Sequence, residues 1–193
     1  MPHEEAGMID PRNGYPSPVI TPEKFENIAK EYLDALGGQL TQYTSRARII
    51  ESATDGDYEI DISCSFEALG VEFRVIAECK RYKERVKRQV VSELHSKMQS
   101  LGYHKGIVFS VAGFQSGAIR FADQHGIALI QICDGRSKIL LRSFAAQNLL
   151  HWDQVPNDTP DLVCWVVKES SVSLLELENP IGMRASLGIS VSN

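Results

Sequence analysis

Residues 58–88 read YEIDISCSFEALGVEFRVIAECKRYKERVKR. From 58 to 66 the even positions are apolar: Tyr58, Ile60, Ile62, Cys64 and Phe66. The odd positions, Glu59, Asp61, Ser63 and Ser65, are polar. Alternation of period two marks a strand with one buried face. From 71 to 79 the phase reverses, and Val71, Phe73, Val75, Ala77 and Cys79 are odd and apolar. Glu72, Arg74, Glu78 and Lys80 are even and polar, with Ile76 the exception. Leu69-Gly70 lies between the strands as a short turn. Strands joined this way pair antiparallel, and a two-residue loop sets Ala68 opposite Val71 and therefore Asp61 opposite Glu78. Opposed side chains share a face, with Cβ atoms roughly 4.5–5.5 Å apart. Lys80, two residues beyond Glu78, shares that face. The hairpin is expected to bring two carboxylates and a lysine together beside a strand end.

Two carboxylates presented together attract a hard divalent cation. Mg²⁺ favours oxygen ligands and few protein carboxylates, keeps several waters, and commonly works on phosphates. The backbone carbonyl of Cys79 could add a third oxygen. A nearby lysine can orient or activate an attacking water, or stabilise charge on a phosphate. The other reading is a solvated strand face with one cross-strand ion pair. Asp57 and Glu59 share parity with Asp61 and form an alternative ligand pair, further from Glu78.

The next residues are strongly basic. Lys80, Arg81, Lys83, Arg85, Lys87 and Arg88 are interrupted by a single acidic residue, Glu84. The whole chain carries a net charge of −5, so the cluster runs against its background. Cations with Tyr82 among them suit a phosphate backbone, although a charge run is by default a solvated face. Gln89, at the start of the following helix, could reach a phosphate or the acidic pair.

Around this centre the elements alternate. Thr21-Pro22 caps a helix whose apolar face is Phe25, Ile28, Ala29, Tyr32, Leu33 and Leu36, ended by Gly37-Gly38. Residues 40–53 read as a strand with imperfect alternation, and Asp55-Gly56-Asp57 turns the chain into the hairpin. A helix is expected over about 86–102, with Val86, Val90, Leu94, Met98 and Leu101 as its stripe and Val91 beside it. His95 lies elsewhere on that helix, as a surface histidine rather than a base. GIVFSV at 106–111 is a buried strand. A helix from about Phe114 to His125 follows, with Gln115 and Ser116 near its start and Ser116 as the expected cap. IALIQIC at 127–133 is another buried strand. Strand, helix, strand with short connections implies a parallel pair and a right-handed crossover. KILLR at 138–142 reads as a further strand and SFAAQNLLHW as a short helix. LVCWVVKES and SVSLLELENP read as two strands separated near Glu169-Ser170.

Asp61 followed across a hairpin by Glu78-Cys79-Lys80 resembles the PD-(D/E)xK nuclease signature. The wording around it is similar to that of the Mrr-like restriction endonucleases. Phe25-Glu26, EID at 59–61, ECKRY at 78–82 and GIVFSVAGFQSGAIRFADQHGIALI at 106–130 carry the likeness, over about 21–135. Ile60 stands in place of the proline, and Glu78 where many Mrr-like members have glutamine. Neither removes a required ligand. The resemblance implies an α/β, restriction-endonuclease-like fold: a mixed β-sheet flanked by helices, here with a small β-rich C-terminal extension. It implies Asp61, Glu78 and Lys80 as catalytic residues, with Mg²⁺ or Mn²⁺ on Asp61, Glu78 and the Cys79 carbonyl. It adds Glu26 as an auxiliary carboxylate, against the plainer reading of a first-turn glutamate favoured by the helix dipole. Arg81, Lys83, Arg85, Lys87, Arg88 and Gln89 would then hold DNA.

The 193 residues suffice for one domain with a substantial core and a small appendage. We expect an N-terminal arm over 1–20, a nuclease domain over 21–150 and an extension of unassigned role over 151–193, which could mediate a homodimer. Four scattered cysteines without a CxxC pair read as reduced core thiols of a cytoplasmic protein. No apolar run is long enough to span a bilayer. His3 beside Glu4 and Glu5 reads as part of the arm. Two other classes remain: a module that holds nucleic acid without cutting it, and an interaction subunit using the C-terminal strands.

Overall fold

The computed structural model describes residues 20–38, 40–134, 162–170 and 172–175. Within them the chain runs α1 (Pro22–Gly37), β1 (Thr41–Ala53), β2 (Gly56–Ala68), β3 (Val71–Lys80), α2 (Arg88–Leu101), β4 (Lys105–Ser110), α3 (Ser116–His125), β5 (Ala128–Asp134), β6 (Leu162–Val167) and β7 (Val172–Leu175). The seven strands form one sheet in chain order. β1, β2 and β3 are an antiparallel meander; β3, β4 and β5 are parallel; β6 and β7 return antiparallel. The fold is α/β with a mixed sheet, as expected, and β6 and β7 extend that sheet. The expected arm over 1–20, all but its last residue, the expected strand at 138–142, the short helix after it and the stretch DQVPNDTPD at 153–161, whose composition reads as a linker, lie outside the described residues.

Each boundary has a local cause. Thr21 caps α1 by accepting a hydrogen bond from the Lys24 N–H at 3.2 Å, and Pro22 opens the helix. At the β2–β3 turn both central residues have positive φ, 56° at Leu69 and 73° at Gly70, the twist a two-residue hairpin requires. Ala68 faces Val71, and the register continues to Ile62 opposite Ala77. That is the pairing read from the loop length.

Both faces of the sheet are covered. Under α1, the residues Phe25, Ala29, Leu33 and Leu36 pack on Ile62, Ala77, Phe109 and Ile130. Under α2 and α3, the residues Val91, Leu94, Met98 and Ala118 pack on Ile60, Ile76, Val108 and Leu129. α2 is shorter than expected. Val86 precedes it, buried in the loop, and Val91 rather than Val90 sits in the buried stripe.

The single buried face expected for the even positions of β2 is also corrected. Ile62 and Cys64 face α1, whereas Ile60 faces α2. The change of face falls at Asp61, where the ladder to β3 ends. Across from it on β1 lies Arg48, whose φ is 51°; the pairing passes it without a shift, since Ala47 faces Ile62 and Ile49 faces Ile60. A non-glycine residue in the left-handed region is a local strain in the ladder, and it sits beside the point where the face changes.

Candidate active site

β3 delivers Glu78, Cys79 and Lys80 at its carboxyl end, beside Val108, Phe109 and Ser110 of β4. Because β3 begins the parallel part of the sheet, this is the edge where open α/β sheets build their sites. Glu78 is on the face covered by α2 and only 7% exposed. The other reading, a solvated strand face, does not hold at Glu78: the carboxylate is enclosed. It is compensated by two ammonium groups. Lys80 Nζ lies 2.5 Å from Glu78 Oε1, and Lys97 Nζ, from α2, lies 3.0 Å from Glu78 Oε2. Lys97 also donates to the Glu59 carbonyl at 3.0 Å, tying α2 to β2. A buried carboxylate needs such partners.

Asp61 reaches the same edge from β2. Glu78 is not its ladder partner, since the pairing stops one pair short of them. Instead the Cys79 N–H donates to Asp61 Oδ2 at 2.7 Å. Burial raises the Asp61 pKa above its ordinary 3.8. The charges of Glu78 and Glu26 add to this, against the Cys79 hydrogen bond and the Lys80 charge. Three carboxylates are thus electrostatically coupled. Glu26 lies just past the first turn of α1, where the acidic residue is Glu23, and is held 2.7 Å from Arg48 Nε. The same Arg48 that lies across the ladder from Asp61 thereby ties Glu26 to β1. Burial works against the charge of Lys80, but its hydrogen bond to Glu78 and the charges of Glu78 and Asp61 outweigh this and raise its pKa. Lys80 is cationic at neutral pH.

Among the described residues no three His, Cys, Asp or Glu side chains are gathered as a metal cage. Mg²⁺ does not require one, taking one or two carboxylates and keeping waters. Glu78 spends two of its roughly four lone-pair positions on the lysines, and Asp61 spends one on Cys79. All the side-chain donors are hard oxygen. The pair therefore fits a hard divalent cation. Asp57 does not join it; its carboxylate accepts from Ser52 Oγ at 2.6 Å. The four cysteines are free thiols, and burial pushes Cys64 up to about 11.

The basic stretch is divided by the fold. Val86 is fully buried and bridges to Phe114: its N–H donates to the Gly113 carbonyl, and the Gln115 N–H donates to its carbonyl, both at 3.0 Å. Arg81 is exposed but engaged, its Nε donating to the Ile20 carbonyl at 2.5 Å. Arg88 stacks over the Phe121 ring at 5.1 Å. Gln89 donates to Glu93 at 2.9 Å. Lys83, Arg85 and Lys87 make no ion pair among the described residues and line one cleft with Gln89. Ser116 is not the cap of α3; Gln115 occupies that position without a side-chain cap bond. His95 packs against His125, with ring centroids 4.6 Å apart, away from the acidic pair's partners.

Lys97 is the site residue that the sequence pattern did not show. It lies on the helix face between Leu94 and Met98–Leu101, where a polar residue reads as solvated. Only its proximity to Glu78 in the folded chain reveals it.

Residues 19–135 match the sequence profile of a restriction endonuclease family, Mrr_cat. No curated protein matches the chain. A solved structure described as a protein of unknown function, AF1548, is similar at 18% identity with a TM-score of 0.46, covering 54% of either chain. No helix among the described residues is long and apolar enough to cross a membrane.

Proposed function

The chain belongs to the Mrr-type restriction endonuclease family, and from that premise we propose that it is a metal-dependent endonuclease hydrolysing DNA phosphodiester bonds. The observation that carries this reading is the convergence of Asp61, Glu78 and Lys80 at the end of β3, with a basic loop directly after them. Asp61 and Glu78, with the Cys79 carbonyl, would hold Mg²⁺ or Mn²⁺, which when bound neutralises phosphate charge and stabilises the charge that develops on reaction.

The chain's own residues do the rest. The Cys79 N–H orients the Asp61 carboxylate. Lys80 positions and helps activate the attacking water and stabilises anionic charge. Lys97 holds Glu78 in place from behind. Glu26 adds negative charge near Asp61 and favours a cation there. Lys83, Arg85 and Lys87 hold the backbone without reading sequence.

A second reading draws on the double lysine contact of Glu78. A carboxylate already neutralised by two ammonium groups suits a module that binds DNA without cutting it. Supercoiled plasmid incubated in Mg²⁺, in Mn²⁺ and in EDTA, beside Lys80→Ala, separates the two. The nuclease predicts nicking or linearisation that needs metal and is lost in the variant. A fully active Lys80→Ala protein would sink the mechanism, and folded protein that shifts DNA but never cuts it would favour the binding module.

A further inference from the structure

The cleft after β3 is lined by Tyr82, Lys83, Glu84, Arg85, Lys87, Gln89 and Val90 and has a volume of about 410 Å³. Pockets for small organic ligands run from roughly 300 to 1,000 Å³. Its walls are fixed from beneath, because fully buried Val86 is hydrogen-bonded to the β4–α3 loop on both sides. Two features exceed what a phosphate-tracking surface requires. Tyr82 stands 48% exposed, a large aromatic ring presented to solvent at the cleft wall. It follows Lys80 by two residues in the chain. An aromatic face adds no charge to hold a phosphate, and the bases of an intact duplex keep their own faces stacked. An unstacked base can lie on such a ring, in a contact every base can make. The three cations lack ion-pair partners among the described residues and supply the charge a nucleotide's phosphate needs. Glu84 repels phosphate from its side of the cleft, and its carboxylate can accept from a base's exocyclic amino group.

We propose that this cleft receives one unstacked nucleotide next to the cut site, with its base on Tyr82 and its phosphate on Lys83, Arg85 and Lys87. The preferred substrate is then DNA carrying unpaired nucleotides: a gap, flap or bulge. This rests on the reading of the chain as a protein that acts on DNA.

Binding of the full-length protein in EDTA tests it, by fluorescence anisotropy on two labelled DNAs of one sequence, an intact duplex and a duplex with a three-nucleotide gap. The gapped DNA is expected to bind about tenfold tighter or more. Tyr82→Ala should abolish that preference and Tyr82→Phe should keep it; Tyr82 is exposed, so circular dichroism should show both variants folded. Equal affinities for the two DNAs, or a preference that survives Tyr82→Ala, would overturn the inference. Free deoxyadenosine monophosphate is the competing arm. Displacement of gapped DNA by it at comparable concentration would assign the cleft to a free nucleotide and overturn the strand-bound reading. The readout needs no cleavage. A protein that prefers gapped DNA but never cuts in Mg²⁺ would keep this inference and lose the nuclease, while cutting without preference would do the reverse.

Discussion

Asp61 is held in a state that costs the fold stability. Its burial, with Glu78 and Glu26 nearby, raises its pKa above the ordinary 3.8. A raised acid binds its proton more tightly in the folded state, so the folded chain carries more protons than the unfolded one between the two values. Stability then falls as pH rises through the folded pKa. Asp61→Asn keeps an oxygen for the Cys79 N–H and removes the charge. In EDTA at neutral pH it should melt at a higher temperature than wild type, and the gain should vanish below the ordinary carboxylate value. Mg²⁺ should raise the melting temperature of wild type and not of the variant, since ligand binding stabilises only the protein that binds it. A variant melting no higher than wild type would show that the coupled charges are not strained. Lys97 makes the complementary case. Lys97→Met leaves Glu78 with one ammonium partner in place of two and should cost roughly 1–3 kcal/mol in EDTA. Mg²⁺ should narrow that gap by supplying positive charge beside the carboxylate; denaturant melts with and without the ion check this. Glu78 and Lys80 were legible because strand parity links sequence position to face, and Asp61 because loop length set the register that brings it to them. Lys97 was not, because no periodicity records which strand residue a helix residue will meet.

At the scale of elements, the hairpin shows what pattern can and cannot reach. Loop length alone set Ala68 opposite Val71, and the register follows. Parity failed at one place, Asp61, which lies across the ladder from Arg48, a residue of positive φ on the neighbouring strand. Arginine carries no sequence signal for that conformation as glycine or asparagine would. The same logic points to a repair. Leu69 occupies the first central position of the turn with φ 56° and is 96% exposed. Asn-Gly is the favoured pair for a turn with both φ values positive. Leu69→Asn should therefore stabilise the fold by about 0.5–1 kcal/mol, with plasmid cleavage unchanged because the turn is at the far end of the hairpin from Asp61. Urea melts measure the first effect. A loss of stability would show that the leucine makes contacts the exposed position conceals.

At the scale of the molecule, the sheet joins two kinds of pairing. The antiparallel meander brings Asp61 in from β2, and the parallel strands leave their carboxyl ends and the following loops on the same edge. Buried β4 and β5 were readable as near-continuous apolar runs. That β6 and β7 continue the same sheet was not, because an antiparallel addition to an edge leaves no spacing signal. The charge layout has a measurable consequence. With a net charge of −5, most of the surface repels DNA, and at about 0.15 M salt interactions are screened beyond roughly 8 Å. Attraction must then come from the local cations. Each cation that contacts phosphate releases counterions, so log affinity falls with log salt by about 0.9 per contact on duplex DNA. Lys83→Ala together with Lys87→Ala should flatten that slope by about 1.8, leaving the fold intact because both side chains are exposed. Arg46→Ala, on exposed β1 and paired with Glu51, should leave it unchanged. An unaltered slope in the double variant, or a flatter one in Arg46→Ala, would move the DNA from the loop after β3 to the outer face of the meander.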